Sequence, residues 1–234
     1  MTEIRLSRRL KALSSMVEPC DTFTDIGCDH ALLPLWLIQQ GICKRALASD
    51  VNPGPLESAK KNAESFGTGE DRISFILSDG LDSLTPPKDG KNTLCIAGMG
   101  GLLIEEILQR GRDKTGAYSS FMLSPHTKQY ELRRYLTENG FTISDERYVC
   151  EDDKLYVMIS ACHAPSLRPL SYSETELRFG RYIKKALEDR DVAGHITARY
   201  EELLRLIQDK EGLPEERRKA LSEEALCCRE VLGI

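Results

Sequence analysis

Residues 23–34 read FTDIGCDHALLP. A short apolar run leads into Asp25-Ile26-Gly27, as a strand feeds a nucleotide-binding turn, and a helical pattern follows over 30–40. A dinucleotide-binding loop would continue with a second glycine. This chain has Asp29 there. Backbone N–H groups and a helix dipole normally gather at such a turn to hold phosphate, so a carboxylate there asks for a different ligand.

Working outward, apolar runs at 22–26, 45–49, 73–77, 93–97, 120–124, 141–148 and 155–161 alternate with helical patterns at 30–40, 55–66, 101–111 and 128–139. Such alternation predicts a parallel sheet with helices on both faces. Only YVCEDDK separates the last two runs. It leaves no room for a crossover helix, so these strands are expected to pair antiparallel. The predicted fold is α/β: a Rossmann-like seven-stranded sheet, the layout of class I methyltransferases, over residues 1–163.

A second unit, a helical and coiled-coil-like appendage, is expected over 164–234. HAPSLRPLS reads as a linker. Ser173-x-x-Glu176 reads as a capping box. Phe179, Tyr182, Ile183, Ala186 and Leu187 repeat at helical spacing, as do Ile196, Tyr200, Leu203, Leu204 and Ile207. EGLPEE interrupts, with Gly212 and Pro214 as stop and start, before Leu221, Ala225, Cys228 and Val231 share a third face.

Ligands of open parallel sheets bind beyond the carboxyl ends of the strands, where strand order reverses. Those ends carry Asp25–Ala31, Asp50-Val51-Asn52, Asp79-Gly80, Gly98-Met99-Gly100-Gly101 and Ser124-Pro125-His126. Asp50 follows Asp29 by 21 residues, which suits a carboxylate on a ribose. Asp79 could accept from an adenine amine, and Gly27 allows close backbone approach. A pyrophosphate beside Asp29 would meet repulsion of several kcal/mol at low dielectric. S-adenosylmethionine carries a sulfonium and an ammonium instead, and carboxylates 25 and 29 suit it. The expected cofactor is therefore S-adenosylmethionine, held by Asp25, Gly27, Cys28, Asp29, His30, Asp50, Val51, Asn52, Asp79, Gly80 and Gly98. A simpler role for Asp29 is the N-cap of the helix expected from His30.

The 234 residues carry a net charge of −5, with 29% charged and 41% hydrophobic residues. That excludes a broad basic nucleic-acid face and leaves only local patches, such as Arg5, Arg8, Arg9 and Lys11. No apolar run approaches a membrane span, and the N-terminal segment lacks a signal-peptide core, so a cytoplasmic protein is expected. Eight cysteines form no C-x-x-C pair, and they read as reduced small hydrophobes rather than metal ligands.

DIGCDHALLP, ASDVNPGPLESAKKN, SDGL and IAGMGG, with the basic LSRRL segment before the first strand, together resemble the bacterial tRNA (adenine-22-N1)-methyltransferases, the TrmK family. The resemblance spans essentially the whole chain. It departs at Cys28, where the family usually has serine, and at Leu123-Ser124-Pro125-His126, where Leu-Gln-Pro-Asn is common. It implies methyl transfer to N1 of adenine 22, with the target base extruded from its stack. Asp29 is then expected to stabilise the cationic product, Gly98, Met99 and Gly100 to line the base pocket, and His126 to stack on the base or bond to it. Arg5, Arg8 and Arg9, with Arg181, Lys184 and Lys185 of the tail, would hold tRNA phosphates. The expected partner is tRNA, with no membrane and no metal, and the expected state is a monomer. The residues alone leave open a methyltransferase acting on another RNA, a protein or a small molecule, a non-catalytic RNA-binding module, and an NAD-linked oxidoreductase, to which Asp29 is the objection.

Overall fold

The computed structural model describes residues 3–164, 171–208 and 214–234. Most of the HAPSLRPLS linker and the Gly212 stop lie outside the described residues. Residues 3–164 contain α1 (Arg8–Ser14), β1 (Cys20–Ile26), α2 (Leu32–Gln39), β2 (Cys43–Asp50), α3 (Pro53–Ser65), β3 (Ile73–Leu77), β4 (Asn92–Gly100), α4 (Gly101–Arg110), α5 (Arg112–Thr115), β5 (Ser120–Thr127), α6 (Gln129–Glu138), β6 (Phe141–Glu151) and β7 (Lys154–His163). The tail contains α7 (Glu174–Phe179), α8 (Ile183–Ala186), α9 (Arg190–Gln208) and α10 (Glu215–Leu232).

The strands form one sheet in the order β3-β2-β1-β4-β5-β7-β6. β1 to β5 run parallel, and β7 lies antiparallel between β5 and β6. This is the class I methyltransferase topology expected from the alternation of apolar runs. The β6–β7 hairpin turns at Asp152 and Asp153, both left-handed with φ of 49° and 57°, the backbone that a tight two-residue hairpin requires. Strand order reverses between β1 and β4, so their carboxyl ends open a crevice.

Alternate residues of each strand enter two cores. Phe23, Ala46, Cys95, Met122 and Met158 pack with α1, α2 and α3 on one face. Ile26, Leu94, Ile96, Phe121, Leu123 and Ile159 pack with α4 and α6 on the other. This second core continues into the tail, where Ile183, Val192, Ile196 and Val231 are buried in it. α9 and α10 pack against each other through Leu203, Ala225 and Cys228, and Arg199 bridges to Glu224 at 2.8 Å.

The tail is also fixed by charge. Arg133 of α6 donates from Nε to Glu146 Oε1 at 2.7 Å, and from Nη1 to the carbonyls of Leu177 and Arg178. Glu146 Oε2 accepts from the Arg181 N–H at 2.9 Å, and the Tyr148 hydroxyl donates to the Phe179 carbonyl at 2.8 Å. The expected continuous helix through Phe179 and Leu187 is in fact two helices. Gly180 (φ +86°) breaks it where a Cβ would strike the Tyr148 hydroxyl and the Glu146 carboxylate. The capping box at Ser173 and Glu176 is present.

Candidate active site

The decisive turn is tighter than a helix cap. The N–H groups of Gly27 and Cys28 both donate to the Ser49 carbonyl, at 2.8 and 2.9 Å, which ties the end of β1 to β2. Asp29 and Ala31 are left-handed, with φ of 47° and 52°. α2 begins only at Leu32, with Ala31 in the N-cap position and no side-chain cap. The expected helix start at His30, capped by Asp29, is therefore corrected. Two non-glycine residues in the left-handed region cost roughly 1–2 kcal/mol each, so this loop is held by its surroundings. One such tie is the hydrogen bond from Asn62 Nδ2 to the His30 carbonyl, 2.9 Å. The result turns Asp29 outward, 75% exposed, with His30 Nε2 at 3.6 Å.

Two clefts meet along this edge. The larger, of about 440 Å³, is lined by Asp25, Gly27, Cys28, Asp29, His30, Asp50 and Asn52 from the first two strand ends. Ala97, Gly98 and His126 close it from β4 and β5, and Arg9, Leu10, Leu32 and Leu33 from the helices. The smaller, of about 270 Å³, shares Gly27, Asp50, Asn52 and Gly98, and adds Val51, Asp79, Gly80, Met99 and Leu103. Val51 and Leu103 are large apolar side chains left 59% and 45% exposed here. Together the clefts have the size and mixed lining of a nucleoside-cofactor site.

Asp25 is buried, and burial pushes its carboxyl up to about 7, with the nearby Asp50 charge acting in the same direction and the Cys95 thiol opposing it. Asp50 accepts from the Asn52 N–H at 2.9 Å and is itself buried. Burial also holds the Cys28 thiol well above its ordinary range, so it packs as a small apolar group. Three carboxylates thus share one cleft with a single arginine. That donor set fits a cationic ligand and opposes a pyrophosphate.

Asp79 lies in the smaller cleft, but Arg110 already grips it, Nη2 to Oδ1 at 2.9 Å and Nη1 to Oδ2 at 3.1 Å. This hydrogen-bonded arginine lowers the Asp79 carboxyl below its ordinary range. The glycine-rich segment is not a loop. β4 continues through Gly98, Met99 and Gly100 with two register shifts against β5, and α4 starts at once with Gly101. Gly98 (φ +80°) faces both clefts and Met99 only the smaller. Gly100 lines neither cleft; a Cβ there would press on Thr127 Oγ1 at 3.3 Å, so its small size serves packing.

The basic residues divide. Arg5 and Arg8 are exposed, and Arg8 borders a bowl that also holds Glu151, Asp152, Asp153 and Asp191. Arg9 instead enters the large cleft, and Nη1 lies 2.7 Å from His126 Nε2. Arginine only donates, so His126 accepts at Nε2 and is neutral. Burial and then the Arg9 charge lower the His126 pKa, in agreement. Arg181, expected on phosphate, is held by Glu176 at 2.8 Å and lies over the Tyr172 ring. Sequence reasoning missed Arg9 as a cleft residue, Arg110 as the partner of Asp79, and Leu10, Leu32 and Leu33 as its apolar walls. The basic LSRRL segment marked Arg9 as cationic but gave its side chain no direction.

Among known proteins, the family model of the methyltransferase domain matches residues 6–159. A tRNA (adenine(22)-N(1))-methyltransferase of Bacillus subtilis is 33% identical over 161 residues, 69% of this chain and 66% of that protein. A Streptococcus pneumoniae protein, Sp1610, solved in complex with S-adenosyl-L-methionine, superposes with a TM-score of 0.85 at 30% identity, over 97% of this chain and 100% of that one. The B. subtilis m1A22 tRNA methyltransferase TrmK superposes with a TM-score of 0.84 at 26% identity, over 98% and 100% of the two chains. With the strand order, the carboxylate-lined crevice and these likenesses in agreement, the chain belongs to the class I methyltransferases and, within them, to the TrmK family.

Proposed function

We propose that this protein transfers a methyl group from S-adenosylmethionine to N1 of adenine 22 in tRNA, in the cytoplasm. The observation that carries the reading is the crevice at the strand-order reversal, where Asp25, Asp29 and Asp50 converge beside Gly27 and Gly98. Asp50 would hold the ribose hydroxyls, and Val51 and Leu103 would hold the cofactor adenine. Asp25 and Asp29 face the cationic end. When bound, the cofactor supplies an electrophilic methyl group, so that an S–C bond is exchanged for an N–C bond and the positive charge ends on the adenine ring.

Adenine N1 attacks as a neutral lone pair, and no proton is removed. The protein therefore needs no general base, and its task is to position N1 and to stabilise charge. Asp29, exposed at the cleft mouth, offsets the cation that develops on the base. Gly98 lets the flat base approach the backbone of β4. His126, whose pKa is lowered first by burial, adds no positive charge of its own. Arg5 and Arg8, with Lys184 and Lys185 of the tail, contact phosphates.

The test is to incubate the purified protein with radiolabelled S-adenosylmethionine and two unmodified tRNA transcripts, with adenine or guanine at position 22. Digestion to nucleosides should release labelled 1-methyladenosine from the first only. Label on neither, with cofactor binding still measurable, would sink the tRNA reading.

A further inference from the structure

Tyr156 of β7 stands outside every role assigned so far. Its ring is half-buried against the core beneath α1 and α2. The Arg9 guanidinium lies over the ring, 5.1 Å from its centroid. The His126 ring meets it edge-on, with centroids 5.5 Å apart and planes at 72°. Arg9 and His126, the two side chains that meet this ring, both line the large cleft; Tyr156 itself does not line it and lies behind Arg9. A Cβ at Gly98 would sit 4.0 Å from His126 Cε1 and Nε2, which brings the same group beside the backbone edge of β4.

Arg9 is weakly held where it is. Among the described residues its guanidinium makes one hydrogen bond, to the neutral His126 ring. No carboxylate among the described residues forms an ion pair with that guanidinium, and its Nε is buried without a partner. A buried donor with no acceptor is a standing cost. A phosphate offers a guanidinium two strong acceptors, so an arriving RNA backbone draws Arg9 outward and uncovers the ring.

We infer that the face of Tyr156 now covered by Arg9 is the stacking platform for the target adenine, and that Arg9 is its displaceable cover. The inference rests on the proposed adenine-N1 reading and deepens it. A guanidinium is flat, delocalised and cationic. The methylated adenine shares all three properties. An aromatic face that accepts the first is suited to the second, because the negative face of the ring attracts a cation above it. The attraction is absent with neutral adenine and grows as the methyl group is transferred, so it favours the transition state over the ground state. His126, edge-on to the ring, then borders the platform rather than forming it.

The experiment compares Tyr156→Leu and Tyr156→Phe with the wild type, using tRNA transcripts carrying adenine or the fluorescent analogue 2-aminopurine at position 22. Loss of the stacking face should lower kcat by about tenfold to a hundredfold, with cofactor affinity unchanged. Tyr156→Phe keeps the face and should recover most of the rate. The bound 2-aminopurine should be quenched by stacking in the wild type and bright in Tyr156→Leu. Arg9→Ala should raise KM but keep the quench. Wild-type kcat in Tyr156→Leu would overturn the inference, as would parallel loss of rate and cofactor binding, or a Tyr156→Phe enzyme as slow as Tyr156→Leu. A quench lost in Arg9→Ala would place the base on Arg9 and overturn it too. A wild-type protein that methylates no tRNA sinks this inference together with the functional reading, whereas an active wild type with an equally active Tyr156→Leu sinks this inference alone.

Discussion

Arg133 and Glu146 form an ion pair of 2.7 Å with neither side chain exposed to solvent. The same guanidinium holds the Leu177 and Arg178 carbonyls, so one pair joins α6, β6 and the start of the tail. Removing one partner strands a charge in the interior. Glu146→Gln should therefore destabilise the protein by about 3–5 kcal/mol, read as a lower urea midpoint.

Cofactor affinity should depend on pH through Asp25. Its carboxyl titrates near 7 in the folded protein against 3.8 ordinarily. The folded state holds this proton more tightly than the unfolded state, so the stabilisation is complete below about 4 and is lost as pH rises through 7. A cationic ligand prefers the ionised form and expels the proton. Affinity should rise with pH through 7, and calorimetry in buffers of different ionisation heat should detect proton release on binding. In Asp25→Asn both the pH dependence and the release should vanish.

Asp50→Ala should weaken the binding of S-adenosylhomocysteine, measured by titration calorimetry, by roughly tenfold to a hundredfold, the usual worth of hydrogen bonds to a charged acceptor. Asp79→Ala should cost less, because Arg110 already engages both of its oxygens.

Gly27→Ala should fail twice. The residue is left-handed at φ +71°, and its new methyl group would strike Met99 Cε. The backbone share of the cost, about 1–2 kcal/mol, should persist in Gly27→Ala/Met99→Ala, while the steric share should be relieved. Thermal unfolding of the single and double variants separates the two.

Asp29→Asn should lower kcat on tRNA by roughly tenfold to a hundredfold, with a much smaller change in cofactor affinity. Loss of cofactor affinity with kcat unchanged at saturating cofactor would make Asp29 a cofactor ligand only.

The sheet was legible because each strand is an apolar run ending in a chemically distinct tip. Asp25, Asp50 and Gly98 meet in space for that reason, since parallel order brings successive tips to one edge. The turn after β1 was misread because Asp29-His30-Ala31 satisfies the usual cap pattern, while its left-handed backbone is imposed by tertiary ties such as Asn62 on the His30 carbonyl. The break at Gly180 was hidden in a helical repeat, because its cause lies on β6, 32 to 34 residues earlier. That Arg9 lines the cleft was hidden because charge marks a residue as basic without saying which way it points.

The Arg133–Glu146 junction also bears on how this chain can be recombined. A tail taken from a relative would have to bring carbonyls that meet Arg133, a glycine at the position of 180 and apolar side chains shaped to the sheet. Without them, the graft leaves a buried cation and an uncovered sheet face behind. The two halves are expected to vary together across descendants of this sequence, and a chimaera joined near residue 164 should express poorly unless α6 and β6 travel with the tail.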